Sequence, residues 1–125
     1  MTIPEKLLYT KEHEWVKKED GQVTIGITDF AQSQLGDIIF LELPELGQKI
    51  VSGEPFGEIE AVKTVSELYA PINGTIIEIN EDLEDNPDNI NQDCYGSGWI
   101  LKVELDGALD KDNLLNHKDY GSMTA

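Results

Sequence analysis

The apolar residues of this chain recur mostly with the period of strands. VTIGIT (23–28), IIFLEL (38–43), GTIIEIN (74–80) and WILKVEL (99–105) are short, rich in β-branched or aromatic residues, and bounded by Gly, Asp, Asn or Pro. Several such strands with closely spaced turns predict a mainly β fold of the sandwich or barrel type. DFAQSQLGD (29–37) breaks the alternation. There Asp29 is placed to cap a short helix carrying Phe30, Ala31 and Leu35 and closing near Gly36. After Leu105 the pattern changes again, and the leucine spacing predicts one or two short helices over about 106–121, with Leu109, Leu114 and Leu115 turned inward.

The middle of the chain holds two arms that meet at a lysine. GQKIVSGEPFGEIEA (47–61) leads up to Lys63 and APINGTIIEINEDLED (70–85) leads away, so a hairpin is expected over about 54–80 with Lys63 at its tip. Along GEIEAVK, Gly57, Ile59 and Ala61 alternate with Glu58 and Glu60, and continuing the strand would put Lys63 on the face of Ile59 and Ala61. A turn at 62–64 avoids burying that charge. The turn nevertheless lacks Gly, Asn and Asp and uses β-branched Val62, Thr64 and Val65, where hairpin tips favour residues that tolerate positive φ. A local rule broken without structural gain is often a mark of function. The plain alternative is a solubilising lysine or an edge-strand gatekeeper.

Charge narrows the partners. The 125 residues fit one domain, 1–125, and carry 25 Asp and Glu against 9 Lys and no Arg, a net charge of −16. Such a chain is a poor match for nucleic acid or an anionic membrane surface and attracts basic protein surfaces. Lys63 is the one basic residue between Ile50 and Leu101, a span with at least ten carboxylates. The single cysteine, Cys94, allows no disulfide framework, suits a reducing compartment, and lies in a polar loop with no base or cation to activate it. No secretory or arginine-rich leader opens the sequence and no run approaches the ~20 apolar residues of a membrane span, so a cytoplasmic location is expected. The acidic stretch 80–93 fails as a calcium loop, with Pro87 at the sharp-turn position and Asp93 in place of the bidentate glutamate, and reads as a solvated loop. His13 and His117 lack partners for a metal site or a Ser–His–Asp arrangement, and no phosphate-binding or nucleophile-elbow motif occurs.

GEIEAVKTVSELYAPINGTIIEIN (57–80) resembles the lipoyl-attachment segment of the glycine cleavage system H protein family. The likeness extends through HEWV (13–16), TIGITDFAQSQLGDIIFLELPELGQ (24–48) and GWILKVEL (98–105), several blocks in the same order. Ala61, Thr64, Glu67 and Glu12 depart from residues common in the family. The resemblance implies a lipoyl/biotinyl-type barrel-sandwich hybrid of two antiparallel sheets, with a short internal helix and C-terminal helices. It also implies a carrier and not a catalyst, with lipoate joined by an amide to Lys63. The implied partners are the glycine decarboxylase (P protein), which loads an aminomethyl group; the aminomethyltransferase (T protein), which passes its carbon on; the dihydrolipoyl dehydrogenase (L protein), which reoxidises the dithiol; and a lipoate ligase or lipoyl/octanoyl transferase. A monomer forming transient complexes is expected. The resemblance further implies a cleft that shelters the loaded arm between the HEW segment and the helix after TIGITD. Glu14, with Glu12 and Glu67, would pair with the cationic amine, and Ala31 and Leu35 would line an apolar wall. Plain surface charge for the glutamates and core packing for Leu35 are the alternatives.

Two rivals remain open. Biotinyl domains flank their lysine with methionines where Lys63 has Val62 and Thr64, and 2-oxoacid dehydrogenase lipoyl domains are tethered by Ala- and Pro-rich linkers absent here. A relay of lipoyl groups to those enzymes stays possible. The rival from a different class is an unmodified acidic β domain that binds a basic partner.

Overall fold

The computed structural model describes residues 2–109 and 113–124, which form two antiparallel sheets and four short helices. One sheet orders its strands β1 (Leu8–Tyr9), β2 (Glu14–Glu19), β3 (Gln22–Ile27), β9 (Leu101–Leu105), β8 (Gly74–Ile79) and β5 (Lys49–Ile50). The other holds β4 (Ile38–Glu42), β6 (Pro55–Ala61) and β7 (Val65–Tyr69), with β6 in the centre. Neither sheet closes on the other, so the expected mainly β fold takes the form of a sandwich and not a barrel. Among the described residues no helix is long and apolar enough to cross a membrane.

Alternation does the work in β6. Ile59 and Ala61 are buried while Glu58 and Glu60 face outward, and Phe56, also buried, sits at the register shift between Pro55 and Gly57 that resets the phase. Val16, Val23, Ile25, Ile59, Ile76, Leu101 and Val103 join one core drawn from both sheets, each such side chain contributing roughly 1.5–3 kcal/mol on burial. A second cluster gathers Leu7, Tyr9, Trp15 and Tyr120, with Ile3 and Leu115 packed against it. Trp15 lies flat over Gly26, where a Cβ would sit 2.6 Å from the indole, so the close approach requires glycine.

Helix α1 (Asp29–Leu35) ends at Gly36, whose φ of 77° is of the sign glycine supplies without cost. Its cap is Thr28 and not Asp29: Thr28 Oγ1 accepts from Ala31 N at 3.2 Å, and Asp29 is the first helical residue. Asp29 keeps a related task, its carboxylate accepting from Thr2 N and Gln32 Nε2, bonds that hold its pKa below the ordinary value. The acidic stretch 80–93 also differs from the expected loop. It folds into two single turns, α2 (Asp82–Asp85) and α3 (Asn89–Gln92), because Leu83 and Ile90 reach into the core. Over 106–121 the described residues bend at 106–108, and helix α4 (His117–Thr124) begins only at His117; residues 110–112 lie outside the described set. Leu114 is buried, and Leu109 and Leu115 are half-buried.

Candidate functional site

Strands β6 and β7 form a hairpin in which Glu60 pairs Val65, Glu58 pairs Glu67, and Lys63 stands exposed in the connection. The turn answers the conflict visible in its residues. Among the described residues the non-glycine positions with positive φ are His13 and Asp20, so Val62, Lys63 and Thr64 reverse the chain without entering the left-handed region. Ala61 N donates to Thr64 O at 2.8 Å across the turn, and Val62 N donates to Asp37 O at 3.0 Å in the loop after α1. The tip is therefore held partly from outside. The one ion pair among the described residues joins Lys17 and Glu19, so no described carboxylate holds the Lys63 ammonium within 4.0 Å.

Of the five residues expected to form an arm cleft, the structure brings three carboxylates towards one place. Glu14, at the start of β2, is not a surface charge: it is 2% exposed. Its Oε1 accepts from Thr10 Oγ1 at 3.0 Å and its Oε2 from Tyr69 N at 2.9 Å, and its own backbone N–H donates to Thr10 Oγ1 at 3.1 Å. Burial pushes the Glu14 pKa up to about 8, against the opposing pull of the Tyr69 and Thr10 bonds and with a further push from the charge of Glu12. Glu12 and Glu67 are exposed. Tyr69 lies near the Glu67 carboxylate and within reach of the charges of Glu12 and Glu14, all of which raise the pKa of its phenol. Glu67 lies in β7, which begins at Val65, two residues after Lys63.

Ala31 and Leu35 sit half-buried on α1 and pack against the main core. They reach the carboxylates only through neighbouring elements: β3 ends at Ile27, which pairs with Glu14, and Thr28 then caps α1. A depression of about 300 Å³ beside β6 and β7 takes in Glu58 and Glu67 but none of Glu12, Glu14, Ala31 or Leu35. Thr10, Tyr69 and Tyr120 were missed by sequence reasoning. Thr10 and Tyr69 secure Glu14, and His13, with φ of 69°, turns the chain into β2 and places Nδ1 2.9 Å from Tyr120 Oη. Tyr120 in turn lies 2.6 Å from Thr28 Oγ1, so α4 is tied to both the turn before Glu14 and the cap of α1. The closeness of Thr10 and Glu14 in sequence carries a local signal, since the turn Thr10–His13 lies between them. Nothing local announces Tyr69 or Tyr120.

Cys94 is buried against the core, and burial raises its thiol to about 12, which leaves it without nucleophilic character near neutral pH.

The whole chain resembles proteins of one kind. A family model described as Glycine cleavage H-protein matches residues 7–125. The glycine cleavage system H protein of Geobacillus thermodenitrificans is 55% identical over 123 residues, covering 98% of this chain and 97% of that protein. That of Bacillus velezensis is 55% identical over 124 residues, covering 99% and 98%. The crystal structure of a glycine cleavage system H protein from Mycobacterium marinum superposes with a TM-score of 0.89 at 40% identity, covering 96% of this chain and 97% of that one.

Proposed function

The chain belongs to the glycine cleavage H-protein family, and from that premise we propose that it serves as the lipoyl-carrying shuttle of the glycine cleavage system, with lipoate joined as an amide to Lys63 Nζ. In this reading it takes the aminomethyl group from the glycine decarboxylase (P protein) to the aminomethyltransferase (T protein) and is reoxidised by the dihydrolipoyl dehydrogenase (L protein). A lipoate ligase or lipoyl/octanoyl transferase attaches the group. The protein is the carrier and not a catalyst, a single domain over 1–125. When bound, lipoate supplies a sulfur that takes up and gives off the one-carbon unit, and a two-electron thiol–disulfide couple.

The observation that carries the proposal is Lys63 itself, exposed at a hairpin tip whose arms are anchored by buried Ile59, Ala61 and Leu68. The residues fit the group: the amine is free of ion pairs among the described residues, and a rigid arm below a protruding lysine lets it enter successive active sites. In this reading Glu14 receives the cationic amine. Its carboxyl has two fixed hydrogen bonds and little contact with water, so an amine drawn in beside it would meet a nearly dry, preorganised acceptor. Exclusion of water there protects a hydrolysable load. In this reading Tyr69 and Glu67 supply the outer polar edge of that place.

The test is the intact mass of protein incubated with lipoate, ATP and a lipoate ligase. The mass rises by one lipoyl amide in the wild type and stays unchanged in Lys63→Ala. A wild type that remains unmodified, while a known carrier is modified in the same mixture, removes the carrier reading and leaves the acidic binding domain.

A further inference from the structure

A hairpin tip without Gly, Asn or Asp has little of its own to fix its shape, and the tip around Lys63 takes an outside bond from Val62 N to Asp37 O. What fixes Asp37 then decides how Lys63 is presented. Asp37 is exposed and follows Gly36, so its segment is not rigid by sequence. The peptide units on either side of it are gripped by one side chain. Asn91 Nδ2 donates to Gly36 O at 2.8 Å and Asn91 Oδ1 accepts from Ile38 N at 3.0 Å, while Nδ2 also donates to Gln32 Oε1 at 3.1 Å. The Ile38 N–H requires an acceptor, which fixes which end of the amide faces it. Only a side chain carrying donor and acceptor together can hold a C=O and an N–H two residues apart in this way. Asn91 is itself anchored, because its neighbour Ile90 is 0% exposed in the core and Gln92 N bonds back to Asp88 O.

We infer that Asn91 is a positioning residue for Lys63: by clamping Gly36 and Ile38 it fixes the Asp37 carbonyl that orders the lysine turn for recognition by the lipoylating enzyme. The inference rests on the lipoyl reading of Lys63 for its functional half only. The distance from Asn91 to the modified residue is spanned by two hydrogen bonds and one ladder pair, Ile38 with Ala61. Loss of the clamp leaves the turn sampling several shapes, of which a fraction suits the enzyme. An apparent affinity falls by that fraction while the turnover of bound protein does not.

The experiment compares wild type, Asn91→Ala and, as a control for lost core stability, Ile25→Val, whose side chain is buried in the core on β3 and makes none of the clamp's hydrogen bonds. Two quantities are read: amide hydrogen exchange at Val62 against Ala70, which bonds Glu54 at the base of the same hairpin, and the kinetics of lipoylation by a lipoate ligase supplied with lipoate and ATP. In Asn91→Ala, Val62 exchange quickens by about tenfold with Ala70 little changed, and KM for the protein rises by about tenfold with kcat nearly constant, the effect of roughly one net hydrogen bond. Unchanged Val62 exchange overturns the clamp. Faster exchange with unaltered KM overturns the positioning role, as does an equal rise in KM for Ile25→Val. If the wild type accepts no lipoate at all, the carrier reading fails, and Val62 exchange alone still decides the clamp.

Discussion

Replacing Glu14 by Gln isolates the cost of the buried carboxylate. Glutamine keeps the geometry, with its oxygen accepting from Tyr69 N and its amide donating to Thr10 Oγ1, but cannot ionise. In the wild type the carboxyl titrates at about 8 in place of the ordinary 4.5. An acid whose folded pKa lies above its unfolded one binds more protons in the native state, so its favourable contribution is whole below about pH 4.5 and is lost as pH rises towards 8. At about 1.4 kcal/mol per pH unit, that loss reaches roughly 3 kcal/mol at pH 7 and about 5 kcal/mol above pH 8. The variant lacks this loss. Urea unfolding of both proteins from pH 4.5 to 9 should give curves that coincide at the acid end and diverge upward for Glu14→Gln by several kcal/mol at the alkaline end. Other ionisable groups are common to both proteins and cancel in the difference. Curves that run parallel across this range would refute the claim that Glu14 is desolvated.

Two further outcomes follow from the same geometry. Glu14→Gln should accept lipoate as well as the wild type, since it lies away from the hairpin tip, yet lose its loaded aminomethyl group faster; unchanged decay, followed by release of formaldehyde, would remove Glu14 from the sheltering site. Tyr120→Phe removes the phenol shared by Thr28 and His13 and should cost roughly 1–3 kcal/mol in thermal unfolding, with helix α4 loosening first; a melting temperature equal to the wild type's would mean that the latch carries no weight.

The sequence made the strand segments readable wherever one face is apolar, and β6 is the clearest case: the alternation that buries Ile59 and Ala61 is the same alternation that forces a turn before Lys63. Strand β2 was hidden because EWVKKE is mostly polar and pairs with β3 through its backbone. The acidic 80–93 stretch hid its helical turns in the same way, since two apolar residues, Leu83 and Ile90, are too few to set a period. At the cap of α1 the expected residue, Asp29, lies one position too late, because it is the Thr28 side chain that turns back to accept from Ala31 N. The lysine was legible as an anomaly of turn chemistry. The state of Glu14 was not, because its burial depends on Tyr69, 55 residues further on, and a carboxylate in KEHEW otherwise reads as solvated. Asn91 escaped for a similar reason: its partners Gln32, Gly36 and Ile38 are more than fifty residues away.

Trypsin provides the most direct check on Lys63, because no other lysine or arginine lies between Lys49 and Lys102. Unmodified protein is cut into peptides 50–63 and 64–102, whereas an acylated Lys63 blocks the cut. After treatment with lipoate, ATP and a lipoate ligase, the expected product is a single 50–102 peptide heavier by one lipoyl amide, with the added mass at Lys63 in its fragment spectrum. Recovery of the two separate peptides, with the lipoyl mass on another lysine or on none, would contradict the assignment.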